Sequence, residues 1–198
     1  MQTPCPGPRP WPPSALRHSQ TRRCDMPRIL VALPEKCTGC GRCQAACSAA
    51  HDGVFAPSLA RLGMDNFPLL GRSVPSVCFQ CANPDCLAAC PEGAIRHDES
   101  GTVLVHAGKC TGCGACVDAC PWGQIRLGAK NVAIKCDLCA GEPSCVAECS
   151  AEALVFTEPD KELRKRRGMQ MKERCAHGSP EGKRAELARR LVRTKNLV

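Results

Sequence analysis

Cys110, Cys113, Cys116 and Cys120 stand in the spacing C-x2-C-x2-C-x3-C, closed by Pro121. Three thiolates on a tight turn can grip three irons of one cubane iron-sulfur cluster, while the fourth, four residues on along a short helix, points toward a neighbouring cluster. One such motif therefore predicts a partner. Cys37, Cys40, Cys43 and Cys47 repeat the spacing unchanged; Cys78, Cys81, Cys86 and Cys90 follow C-x2-C-x4-C-x3-C; Cys136, Cys139, Cys145 and Cys149 follow C-x2-C-x5-C-x3-C. Four quartets imply four [4Fe-4S] clusters, with iron bound through the sixteen cysteines. Zinc also takes paired C-x-x-C, but zinc ribbons separate two doublets by a long loop and leave no use for a third and fourth cysteine at these spacings. A disulfide framework is a weaker reading still, because a chain without a secretory signal is expected in a reducing compartment.

The rest of the composition supports metal as the organiser. Of 198 residues 19 are cysteine, aromatic residues make up 3% and tyrosine is absent, so large apolar side chains are in short supply. Metal ligation must then provide much of the folding free energy. The formal charge of +8 is a property of the ends: residues 1–25 carry net +3, residues 26–158 net −3 and residues 159–198 net +8. An oxidised cubane with its four thiolates carries about −2, so the loaded chain is close to neutral with a strong dipole. That, with the lack of aromatic residues interleaved with basic ones in the central region, speaks against nucleic acid as a partner.

No apolar run approaches the roughly 20 residues of a membrane-spanning helix. Arg22-Arg23 does not make a twin-arginine signal, because Cys24-Asp25 follows where an apolar residue is wanted. We read the chain as cytoplasmic, with no membrane span.

Three segments are expected. Residues 1–25, with six prolines in the first thirteen positions, read as a disordered extension ahead of a natural start at Met26, leaving Cys5, Trp11 and Cys24 without function. Residues 26–158 hold the quartets. Residues 159–198 form a basic helical tail, solvated or docking electrostatically on an acidic partner; Leu187, Leu191 and Val192 make a thin apolar stripe, and Cys175 is unligated.

Within the central segment a strand is expected from Met26 to Leu33, and one-turn helices between the third and fourth cysteines of each quartet. Hairpins are expected over 94–105, turning at 98–101, and over 124–134, turning at 128–131. The spacer 48–77, punctuated by Pro57 and Pro68 but rich in apolar residues such as Val54, Phe55 and Leu69, either packs over a cluster, the favoured reading, or docks a partner. The fold class is α+β: two interleaved two-cluster modules of short helices and hairpins. Cys90-Pro91 and Cys120-Pro121 carry the proline that Cys47-Ser48 and Cys149-Ser150 lack, and a short hairpin joins the two middle quartets. Quartets 78–90 and 110–120 should therefore form an inner module, and quartets 37–47 and 136–149 an outer one.

The run from Cys78 through Pro84, Cys86, Cys90-Pro91 and Ile95, followed by the third quartet and Lys135-Cys136-Asp137-Leu138-Cys139, resembles the four-cluster iron-sulfur subunits of dimethyl sulfoxide reductase and formate dehydrogenase. The short length and Ala50-His51-Asp52-Gly53 are most similar to the small members that serve tungsten aldehyde oxidoreductase, carbon monoxide dehydrogenase and formate hydrogenlyase. The resemblance covers about residues 28–157. It implies ferredoxin-like modules and a ligand scheme: Cys37, Cys40, Cys43 and Cys149 on one cluster, Cys136, Cys139, Cys145 and Cys47 on a second. Cys78, Cys81, Cys86 and Cys120 would hold a third, and Cys110, Cys113, Cys116 and Cys90 a fourth. Ser150 departs from the proline common after the last quartet but removes no ligand.

With four thiolates on every cluster no iron is open to substrate, and no phosphate loop, nucleophile elbow or carboxylate pair is present. No catalytic residue is assigned, and the chain is expected to be non-catalytic. His51, His97 and His106 read as surface or loop residues. Lys36, Lys109 and Lys135, each one residue before a quartet, either raise nearby potentials or are solvated flanks. The chemistry that remains is outer-sphere transfer of single electrons between a catalytic oxidoreductase subunit and a second electron carrier. A free polyferredoxin is the alternative within this chemistry, and a zinc-stabilised interaction or nucleic-acid module the alternative outside it.

Overall fold

A computed structural model of the chain describes residues 28–128, 130–174 and 192. The expected extension 1–25, Met26, Cys175, Leu187 and Leu191 lie outside the described residues. The architecture is α+β, built from short helices and two-stranded antiparallel pairs. Among the described residues no helix is long and apolar enough to cross a membrane.

The apolar run Ile29–Ala32 forms β1, three of its four residues buried. Its partner is the last strand, β8 (Leu154–Thr157), paired antiparallel with Ile29 opposite Thr157 and Ala32 opposite Leu154. Arg28 lies over the Phe156 ring, 4.8 Å from its centroid, within reach of a cation–π interaction. Because β1 leads into the first quartet and β8 leaves the last, this pairing carries the two quartets to the same place. Their helices, α1 (Arg42–Asp52) and α4 (Ser144–Ala147), pack against each other.

Only α1 exceeds the expected single turn. α2 (Asp85–Ala88) and α3 (Ala115–Ala119) stop ahead of Cys90-Pro91 and Cys120-Pro121, where proline disfavours helical geometry in the preceding cysteine, and α4 is as short although Ser150 follows Cys149. Cys47 is followed by Ser48, and α1 runs on to a left-handed cap at Gly53, whose N–H bonds the Ala49 carbonyl. Ser48 is fully buried; its hydroxyl donates to the Ala45 carbonyl and accepts from the Ala56 N–H, folding the spacer back over α1.

The spacer is not the loop its composition suggests. β2 (Gly63–Phe67) and β3 (Arg72–Ser76) form a hairpin. In a two-stranded ribbon both strands are edges, so Pro75 is tolerated within one of them. Ala60, Leu62 and Val77 of this segment pack into the core, whereas Phe55 and Leu69 are exposed.

The other two hairpins fall where alternation places them: β4 (Ile95–His97) with β5 (Val103–Val105), and β6 (Ile125–Leu127) with β7 (Ala133–Lys135). Two sets of buried residues result. One joins Leu30, Ala32, Leu62 and Leu154 to Cys43, Cys47, Cys136 and Cys145; the other joins Ile95, Val103 and Ile125 to Cys86, Cys116 and Cys120.

The basic segment after β8 is not wholly solvated. α5 (Lys161–Arg174), capped by the Asp160 carboxylate on the Leu163 N–H at 2.7 Å, returns to the body. There Arg166 pairs with Glu35, Arg167 donates to the Phe79 carbonyl and Gln170 to the Ala32 carbonyl.

Three quartets end with the same chain reversal. Gly93, Gly123 and Glu152, each three residues beyond the final cysteine, have φ of 56°, 62° and 50°. The next N–H then donates to that cysteine: Ala94 to Cys90 at 3.3 Å, Gln124 to Cys120 at 3.4 Å and Ala153 to Cys149 at 3.2 Å. Glu152 is the strained member, since a side chain there costs about 1 kcal/mol, and its 3.6 Å pair with Lys36 is exposed and contributes little. Glu152→Gly is therefore expected to stabilise the iron-loaded protein by about 1 kcal/mol, and Gly123→Ala to destabilise it by a similar amount, both read from anaerobic thermal unfolding.

The β4–β5 turn depends on Asp98, whose carboxylate accepts from the Ser100 N–H at 2.9 Å, the Ser100 hydroxyl at 2.6 Å and the Thr102 N–H at 2.8 Å. The Ser100 hydroxyl foremost, and these backbone donors, hold its pKa below the ordinary carboxylate value. A depressed carboxylate stabilises the fold above its unfolded pKa, and that contribution fades as pH falls through the folded one. Asp98→Ala should cost up to about 1 kcal/mol at neutral pH, the site being exposed, and the gap from wild type should narrow when melting is repeated near pH 3.

Candidate iron-sulfur sites

The structure brings sequence-distant thiols together in four groups. Cys37 and Cys43 each sense the charges of Cys40 and Cys149, so the last cysteine of the chain's final quartet lies near the first three of the first. Conversely, Cys145 senses Cys136, Cys47 and Cys139. Cys86 senses Cys120, Cys78 and Cys81, and these four line one cavity. Cys116 senses Cys110, Cys90 and Cys113, and these four line another. None of the sixteen is paired in a disulfide.

The groups are also ordered in space. Cys145 in the second group senses Cys43 in the first, and Cys136 in the second senses Cys78 in the third. The third and fourth share one buried set containing Cys86, Cys116 and Cys120, with Cys90 and Cys110 packed against it. Of the sixteen only Cys40 and Cys113 are exposed, one in each terminal group.

Burial dominates the thiols' acidity. It pushes Cys43 and Cys86 up to about 11 and Cys136 up to about 12, and raises Cys145 further. At neutral pH such sulfurs keep their protons unless a cation takes them, so metal binding must release protons. Cys40 goes the other way, because the Arg42 N–H and the Thr38 side chain bond its sulfur at the surface. Backbone donors reach other sulfurs as well: Arg61 N–H to Cys47 at 3.1 Å and Ala133 N–H to Cys110 at 3.3 Å. Such bonds favour a sulfur that carries negative charge, as cluster ligands do.

The spacing of the sulfurs bears on which metal centre fits. Among the described residues one trio of ligating side chains has its donor atoms within 4.8 Å of one another, His51, Asp137 and Cys139, and no trio of cysteine sulfurs does. Sulfurs around one tetrahedral zinc, at Zn–S of about 2.3 Å, lie about 3.8 Å apart. Three sulfurs of one such zinc would all lie within 4.8 Å of one another, a spacing that no cysteine trio shows among the described residues.

Several residues around the sulfurs carried no signal in sequence. His51, expected at the surface, is partly buried, its Nε2 3.5 Å from Cys139 Sγ and 3.4 Å from Asp137 Oδ1. Arg61 holds the other Asp137 oxygen at 2.6 Å. Trp122 bonds the Cys81 sulfur through its side chain and meets Phe79 edge-on, with centroids 5.5 Å apart. Gln80, at φ 46°, is held there by its amide, which donates to the Cys136 carbonyl at 2.7 Å and accepts from the Val103 N–H at 2.9 Å. His97 is exposed and half-buried His106 lies against Arg96, away from the sulfurs. Of the three lysines that precede quartets, Lys36 and Lys109 are exposed and Lys135 is buried.

Comparison with known proteins agrees with this chemistry. A family model described as a 4Fe-4S dicluster domain matches residues 71–159, and one described as a 4Fe-4S binding domain matches residues 34–50. The polyferredoxin-like subunit of an aliphatic sulfonate oxidoreductase from Pyrococcus furiosus is 42% identical over 123 residues, covering 61% of this chain and 70% of the relative. A tetrathionate reductase subunit from Archaeoglobus fulgidus is 40% identical over 56% of this chain and 54% of its own length. The electron transport protein HydN of Escherichia coli is 32% identical over 69% of this chain and 91% of its own length. On this coverage, and with thiols gathered as the 4Fe-4S motifs require, the chain belongs to the family of iron-sulfur electron-transfer subunits of oxidoreductases.

Proposed function

We propose that this chain is the electron relay of a multi-subunit oxidoreductase, holding four [4Fe-4S] clusters in line between a catalytic partner and a second carrier. The observation that carries the reading is the row of four cysteine groups with one exposed thiol at each end, Cys40 and Cys113. In this reading Cys37, Cys40, Cys43 and Cys149 hold the first cluster, and Cys136, Cys139, Cys145 and Cys47 the second. Cys78, Cys81, Cys86 and Cys120 hold the third, and Cys110, Cys113, Cys116 and Cys90 the fourth. Each module exchanges ligands between its two quartets, so residues 26–158 make an outer module from 37–47 with 136–149 and an inner one from 78–90 with 110–120. When bound, each cluster supplies one-electron redox chemistry at a potential set by charge, burial and hydrogen bonds to sulfur.

The chain's part is to space the sulfurs, bury the inner groups, and donate N–H bonds from Arg61, Ala94, Gln124, Ala133 and Ala153. With all ligand positions taken by thiolate, no substrate pocket is needed. The catalytic partner is a molybdenum or tungsten oxidoreductase, a hydrogenase or a carbon monoxide dehydrogenase.

Two measurements test this. Anaerobically reconstituted protein should be brown, with about sixteen irons and as many sulfides per chain, and Cys149→Ala should lose up to about four of those irons although it lies in the last quartet. A colourless zinc-loaded protein, or substrate turnover by the chain alone, overturns the reading. Affinity capture under anaerobic conditions should also retain a large oxidoreductase subunit; a fully loaded chain recovered alone makes it a free carrier instead.

A further inference from the structure

Lys135 closes β7 at 4% exposure. Its ammonium donates to the carbonyls of Val103 and of Cys136, the latter at 2.8 Å, and lies 3.3 Å from the side-chain oxygen of Gln80. Three donors thus meet three oxygens, the partners a charged ammonium requires. The same side chain lines the cavity walled by Cys78, Cys81, Cys86 and Cys120, while its own backbone leads directly into Cys136. It therefore sits at the junction of the second and third cysteine groups. At Cys86 and Cys136 its charge opposes the burial that raises both thiols.

The charges nearby do not cancel it. Asp85 lines the cavity but is exposed, where solvent and salt screen it. Asp137 is paired with Arg61 at 2.6 Å, and at Cys136 its charge works against that of Lys135 but ranks below it. Lys36 and Lys109, at the corresponding positions before the first and third quartets, are exposed. Arg42, beside Cys40, is exposed and paired with Glu148 at 2.8 Å. A buried cation is thus built between the two inner groups, with half-buried Arg126 and Arg167 farther out, near Cys47 and near Cys78 and Cys81.

We propose that the Lys135 ammonium is a positioning charge that raises the reduction potentials of the clusters held by the two inner cysteine groups, so that the first electron to enter the relay rests in its middle. The inference rests on the four-cluster reading above. Adding an electron makes a site one unit more negative, and a fixed positive charge in a low-dielectric setting favours that state. No proton need move with the electron.

The test is an EPR-monitored redox titration of the full iron-loaded chain under anaerobic conditions. In Lys135→Met, one or two of the four midpoints should fall by at least tenfold in the redox equilibrium, about 59 mV for one electron, with the other midpoints unmoved, and Lys135→Arg should restore them. Lys135 also ties three segments together, so a variant that keeps the strut is needed. Gln80→Glu places a carboxylate beside the ammonium, keeps an oxygen for Lys135 and for the Val103 N–H while giving up the amide donation to the Cys136 carbonyl, and should lower the same midpoints at unchanged iron content. This second variant decides the matter if Lys135→Met fails to load iron. Midpoints equal to wild type in the variants that load, or a uniform shift of all four, overturn the proposal. A wild-type chain without four clusters overturns the functional reading instead, so the two failures are distinguishable.

Discussion

Buried sulfur takes the place in this chain that large aliphatic and aromatic side chains take elsewhere. Eight of the sixteen quartet cysteines are buried, each inside one of the four groups or facing its neighbour. A protonated thiol is a small apolar filler, but eight of them do not make a core that holds four separate two-stranded ribbons in register. What orders the molecule is the coordination the thiols can share. The short strands, one-turn helices and left-handed corners are fittings that aim sulfur inward.

Within that constraint the β1–β8 pair has a particular role. It is the longest-range strand pairing among the described residues, and it converts a tandem series of motifs into an interleaved one. Without it, the first and last quartets would be two ends of an extended chain. With it, α1 packs on α4 and each quartet reaches the other's final cysteine. The docking of α5 on the carbonyls of Ala32 and Phe79 reinforces the same closure from outside.

Much of this was legible in the sequence, and the reasons it was or was not are physical. Cysteine spacing constrains local geometry strongly, so the short helices α2, α3 and α4 could be expected directly. The 94–105 and 124–134 hairpins carry clear alternation around turn residues. β2 and β3 do not: Asp65, Asn66, Arg72, Ser73 and Pro75 interrupt the alternation and β3 buries Val74, Pro75 and Ser76 in succession, so pattern was too weak to reveal a hairpin. α5 reads as a charged surface helix because its anchoring contacts are made by Arg166, Arg167 and Gln170, residue types that signal solvent. Lys36, Lys109 and Lys135 occupy equivalent positions in sequence and differ only in what folds over them; Gln80, whose backbone geometry places its amide against Lys135, has no pattern of its own.

The interleaving of the two ends has a consequence for biogenesis. Synthesis delivers the chain from its N-terminal side, so Cys37, Cys40 and Cys43 leave the ribosome long before Cys149, the sulfur they sit beside in the finished molecule. In the proposed ligand scheme the two middle quartets, by contrast, have all their cysteines once Cys120 has emerged. That half of the molecule can then load ahead of the other, whereas the three early thiols meet Cys149 only when β8 closes the molecule behind them.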